Sequence, residues 1–149
     1  MSKASIWGIY PDGTGECWKE FKNSFLYAPA MAKILAHKYH QGSGTFPGLW
    51  KKVSEAVKES QVDSICWELA NSAIFLVKEK DAVAEHILHF AQQSENSAWK
   101  KMAEEIRDIP EKYLFFTFQG TDVSGIVEEW LMCGEEKRSI FDLKEDVTD

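Results

Sequence analysis

The chain has 149 residues, 44% hydrophobic and 28% charged, with a formal net charge of −7. That size and balance suit one folded domain spanning 1–149 and exclude the disordered and low-complexity classes. No run approaches the roughly 18 apolar residues of a membrane span, and Met1-Ser2-Lys3-Ala4-Ser5-Ile6-Trp7 lacks the apolar stretch of a secretory signal, so a cytoplasmic chain outside the membrane is expected.

Residues 5–10 are β-prone, and Pro11-Asp12-Gly13-Thr14-Gly15 is a strong turn signal, closing either a hairpin or a strand-to-helix connection. From Cys17 to His40 the spacing is helical. Trp18, Phe21 and Phe25 form one stripe, Met31, Ile34, Leu35 and Tyr39 another, with a break near Tyr27 and Ala28 because Pro29 belongs in the first turn of a new helix. Thr45 can cap a helix in which Leu49, Trp50, Val53, Ala56 and Val57 face inward.

Residues 62–78 read two ways, since Val62, Ile65, Cys66, Leu69, Ala73 and Val77 also fit a helix. The β-rich run Ala73-Ile74-Phe75-Leu76-Val77 favours a hairpin of 64–69 with 73–78. Helices near 81–93 and 97–108 follow, with Asp81 and Asn96 or Ser97 as caps. Tyr113-Leu114-Phe115-Phe116-Thr117-Phe118 is apolar on both faces and predicts a strand inside the sheet, covered on both sides. After Gly120, Val123, Ile126, Val127, Trp130 and Leu131 recur as the inward stripe of a helix that Gly134 stops. Ile140, Phe141 and Leu143 suggest an edge strand, and the acidic segment from about 135 is expected to fray. The expected fold is therefore α+β, a sheet of three to five strands with 113–118 central and five or six helices packed against it.

Charge is unevenly distributed. Residues 1–60 carry eight lysines against five acids, whereas 122–149 carry three basic residues against nine acidic ones, or −6. A field of that sign repels phosphates, so nucleic acid is not an expected partner. Lys19, Lys22, Lys33, Lys38, Lys51, Lys52 and Lys58 would have to share one face to offset it.

The four histidines fall in two pairs of identical spacing, His37 with His40 and His86 with His89. On helices each pair shares a face, and two such helices could offer four metal ligands, although surface histidines are the commoner outcome of that spacing. Cys17 beside Trp18 at a helix start would feel the helix dipole and could serve as a nucleophile. The turns at 12–15 and 120–122 could bind an anion only if their own aspartates did not oppose it. There is no Walker lysine, no G-x-G-x-x-G and no H-E-x-x-H, and no cofactor is expected.

Glu128, Glu129, Trp130, Glu135 and Glu136 combine negative charge with an aromatic residue, a composition suited to clamping a basic protein. The sequence thus leads to an acidic protein-binding factor, of the inhibitor or immunity type, that masks a basic surface. The alternative is a small enzyme or a metal- or ligand-binding domain built on Cys17 or the paired histidines.

Overall fold

Pro11–Thr14 does close a hairpin. Gly13 takes φ 89°, open to glycine at no steric cost, and Asp12 Oδ1 accepts from the Thr14 amide at 2.9 Å and from the Thr14 hydroxyl at 2.7 Å. The computed structural model describes residues 3–39, 46–92 and 96–120, apart from the side chains of 37 and 46–50. In chain order it runs β1 (Lys3–Ile9), β2 (Gly15–Lys22), α1 (Ala28–Tyr39), α2 (Phe46–Ala56), α3 (Gln61–Ala70), β3 (Ile74–Leu76), α4 (Lys80–Ala91), α5 (Ser97–Arg107) and β4 (Phe115–Gln119), with single 3-10 turns between some of them. The fold is α+β. Its sheet has the order β2-β1-β4-β3 and is antiparallel at every pairing.

Alternation fixes which face of the sheet is buried. Ala4, Ile6 and Gly8 of β1 stand opposite Phe21 on β2 and Phe118 and Phe116 on β4, and Phe75 of β3 pairs with Phe116. These side chains meet the helices. Ile6 and Phe116 are wholly buried, Phe118 lies within 5.9 Å of the Tyr27 ring, and Phe75 stacks on Phe116 at 5.5 Å between centroids. Above this face α1 is buried along most of its length, and Ala30, Ala32 and Ala36 allow close approach by its neighbours.

Two segments differ from the sequence reading. Residues 17–22 are strand, not helix. The β1–β2 ladder bulges between Ile6 and Trp7, where Ile6 faces Lys19 but Trp7 faces Cys17. The extra residue, Trp18, shifts the alternation by one, so Trp18 and Phe21, three apart, both pack toward the core and imitate helical spacing. The break at Tyr27 and Ala28 stands, and Pro29 lies in the first turn of α1.

The second correction concerns 64–69, which is the body of α3 and not the first strand of a hairpin. Ser60 caps it by accepting from the Asp63 amide at 3.3 Å. At the other end the Ser72 amide donates to Leu69 O and the Ala73 amide to Glu68 O, with Ser72 in the left-handed region at φ 61°. The expected turn at 70–72 is therefore a helix terminus. Of 73–78 only Ile74–Leu76 is strand, and Val77–Glu79 turns directly into α4. Asn96 caps α5 as expected, but Glu79, not Asp81, occupies the cap position of α4.

The strand expected at the centre is β4, and it does lie inside the sheet. The described helices cover one of its faces. The expected helix after Gly120 and the edge strand near 140 lie outside the described residues.

Gly8 is required by contact, since a Cβ there would collide with the Tyr113 ring. Gly8→Ala and Phe116→Ala should each destabilise the protein, the latter by about 3–5 kcal/mol from lost burial and the cavity left behind. Urea unfolding followed by circular dichroism measures both.

Candidate functional site

Cys17 sits within β2, exposed, with its thiol directed to Lys19 O at 3.7 Å. No helix begins there, so the helix-dipole argument for an activated thiolate does not hold. Cys66 is the opposite kind of thiol. It is free but buried on α3, where burial and the charge of Asp63 push its pKa far up.

His86 and His89 lie on α4 as a pair one turn apart. His86 Nδ1 is 2.6 Å from Ala82 O, one turn back along the same helix, and His89 is exposed. The side chain of His37 and all of His40 lie outside the described residues. Among the described residues no three His, Cys, Asp or Glu side chains converge as metal ligands. Glu128, Glu129, Trp130, Glu135 and Glu136 also lie outside them.

The lysines of the first 60 residues do not form one basic face. Lys33 is buried, Lys38 is paired with Asp63 and Lys19 reaches Glu105 at 3.8 Å. The turn at 12–15 joins two strands and its carboxylate is spent on Thr14, so it presents no helix N-terminus to an anion.

The fold assembles two polar groupings that the sequence did not announce. Asp63, 1% exposed, accepts from Lys38 Nζ at 2.7 Å and from the Tyr39 hydroxyl, tying α3 to α1. Burial and then the bond to Asp63 raise the Tyr39 pKa well above its ordinary value. Lys38 is half exposed, so its charge keeps contact with water while the carboxylate does not. The grouping locks two helices together.

The second grouping sits at the hairpin end of the sheet. Glu16 accepts from the Tyr10 hydroxyl and from the Tyr113 hydroxyl at 2.6 Å, and Lys112 Nζ lies 3.6 Å away. The same ammonium is 5.1 Å from the Tyr113 ring centroid, whose ring is 5.0 Å from that of Tyr10. The two tyrosine hydroxyls, and after them Lys112, hold the Glu16 carboxyl below its ordinary value. Burial first and Glu16 second push Tyr113 up. Gly8 makes the arrangement possible by letting the Tyr113 ring lie against β1.

A cleft of about 710 Å³ runs between the end of β2 and the start of α5, walled by Phe21, Lys22, Asn23, Tyr27, Asn96 and Lys101 among others. Asn96 is committed to the fold there, accepting from the Ala98 amide at 2.9 Å and donating to Leu26 O at 2.8 Å. Lys101 lies over the Phe21 ring at 5.8 Å.

What stands out instead is the sheet face turned away from the described helices. Trp7, Cys17, Thr117 and Ile74 share one row across the four strands, and Ile9, Phe115 and Leu76 share the next. Trp7 is 38% and Ile74 62% exposed. No described helix is long and apolar enough to cross a membrane. Compared with known proteins, the chain matches no family model, no curated protein and no solved structure.

Asp63→Ala should cost about 2–3 kcal/mol and Tyr39→Phe about 1–2 kcal/mol, because each removes a charge-assisted bond in a dry interface. Denaturant midpoints at pH 7 measure both. Glu16 contributes stability above its unfolded pKa, and that contribution is lost as pH falls through its lower folded pKa. Glu16→Gln should therefore flatten the acid side of a melting-temperature profile below about pH 4.5.

Proposed function

We propose that the protein is an acidic binding factor, of the inhibitor or immunity type, that acts in the cytoplasm by masking a basic surface on another protein. The observation that carries this reading is the charge of residues 122–149, three basic against nine acidic. Glu128, Glu129, Glu135 and Glu136 supply the field, and Trp130 lies among them. Opposite charge steers encounter and rejects wrong partners, and the same field disfavours nucleic acid.

The described part of the molecule is consistent with that role as a scaffold. Asp63 is neutralised by Lys38, Glu85 pairs with Arg107 at 2.9 Å and Glu16 is engaged by Lys112 and two tyrosines. These three acids are thus matched locally, and the C-terminal segment carries its charge in excess of its own lysines and arginine. Free thiols at Cys17 and Cys66 fit a reducing compartment.

Affinity capture from a lysate of the source cells tests the reading, with washes at low and then high salt. A stoichiometric basic protein should be retained at low salt and released at high salt. The quadruple variant E128K/E129K/E135K/E136K should weaken that interaction at least about a hundredfold by titration calorimetry, the loss expected for several matched charges. Unchanged affinity would overturn the reading.

A further inference from the structure

Tyr113 is 3% exposed although it closes a turn at 110–113, its amide donating to Pro110 O at 3.3 Å. Its ring lies on Gly8, where even a Cβ would collide with it. Tyr10 and Lys112 contribute the remaining cover. The Tyr10 ring centroid is 5.0 Å away with the planes tilted by 54°, and the Lys112 ammonium stands 5.1 Å from the Tyr113 centroid and 5.9 Å from that of Tyr10. An ammonium over two tilted rings, with a carboxylate beside it, meets the full recognition chemistry of an alkylammonium: ring quadrupoles for the charge and an acceptor for its N–H groups.

The two halves of this arrangement are held unequally. The rings and the carboxylate belong to the sheet: the Tyr10 amide donates to Thr14 O and the Leu114 amide to Ile9 O, each at 2.7 Å, while Glu16 lies in β2 opposite Gly8 and accepts from both tyrosine hydroxyls. The Lys112 side chain is a flexible stem on a turn, 57% exposed and 3.6 Å from Glu16 Oε1, and an exposed pair of that kind exchanges readily. Both hydroxyls and Lys112 approach Oε1. Glu16 Oε2 has no hydrogen bond among the described residues, so an incoming N–H finds an open acceptor there.

We propose that Tyr10, Tyr113 and Glu16 form a binding site for the primary ammonium of a lysine side chain from another protein, a site that Lys112 fills when no partner is present. The carboxylate favours an ammonium that carries N–H over a quaternary one, which could use the rings alone. The site is complete within the described residues and does not depend on the charge of residues 122–149.

Titration of the full chain with Nα-acetyl-lysine amide at constant ionic strength tests this, read from the aromatic NMR resonances of Tyr10 and Tyr113. Lys112→Ala removes the resident cation and should bind the probe with a Kd of about 10 mM, about threefold tighter than the unaltered chain, in which Lys112 competes. Adding Glu16→Gln should weaken binding at least about fivefold. Unmoved core resonances of Ile6 and Phe116 show that the variants stay folded; where they move, Lys112→Gln and Tyr10→Leu take the place of the two substitutions. No shift at either tyrosine in Lys112→Ala up to about 100 mM probe would overturn the proposal, as would an affinity that Lys112→Ala or Glu16→Gln leaves unchanged. Tetramethylammonium binding as tightly as the lysine probe would also overturn it, assigning the rings to quaternary ammonium ligands.

Discussion

The pairing of β1 with β4 is the constraint on which the rest of the molecule depends. Ile6 lies opposite Phe118 and Gly8 opposite Phe116, so the first strand of the chain and the last described one build the sheet's interior together. Everything between them must fit over the face they create. Because alternation has period two, one register decides every inward side chain at once, and a slip by one residue would turn Ile6, Phe116 and Phe118 to the other side. The register is reinforced at both ends. Tyr113 rests on Gly8 and bonds Glu16, while the Thr117 hydroxyl donates to Ser72 O at 3.1 Å, pinning β4 to the end of α3.

That long-range closure explains which parts of the fold were legible in the sequence. Helices α4 and α5 carry local signals, an apolar stripe and, for α5, the Asn96 cap, and the sequence placed them within about two residues. β4 was recognisable because a run of aromatic residues has no plausible place except inside the sheet. β2 was not. Its bulge is set by the partner strand, so the three-residue interval between Trp18 and Phe21 read as helical until β1 lay beside it. In α3 the β-branched residues and the turn after Ala70 outweighed a signal that was present, Ser60 with Asp63 three residues on, the pattern of a helix start.

The polar groupings were less legible still. Asp63, Lys38 and Tyr39 come from two helices, and Glu16 meets Tyr113 across most of the described chain. No spacing rule links such residues, since topology alone brings them together. Cys17 shows the reverse error. Its proposed chemistry depended on a helix start, and once 17–22 is strand the physical reason for reactivity disappears. The two tyrosine hydroxyls and Lys112 all engage Glu16, so the grouping ties the hairpin to the residues that lead into β4.

Charge within the described residues and charge in 122–149 differ in kind. Asp63, Glu85 and Glu16 each meet a cation or hydroxyl donors, so their fields are largely spent inside the fold. Residues 122–149 hold nine acids against three basic residues, an excess that their own cations do not cancel. Such a field is screened over about 8 Å at physiological ionic strength, so it acts on a partner only at close range and loses strength as salt rises.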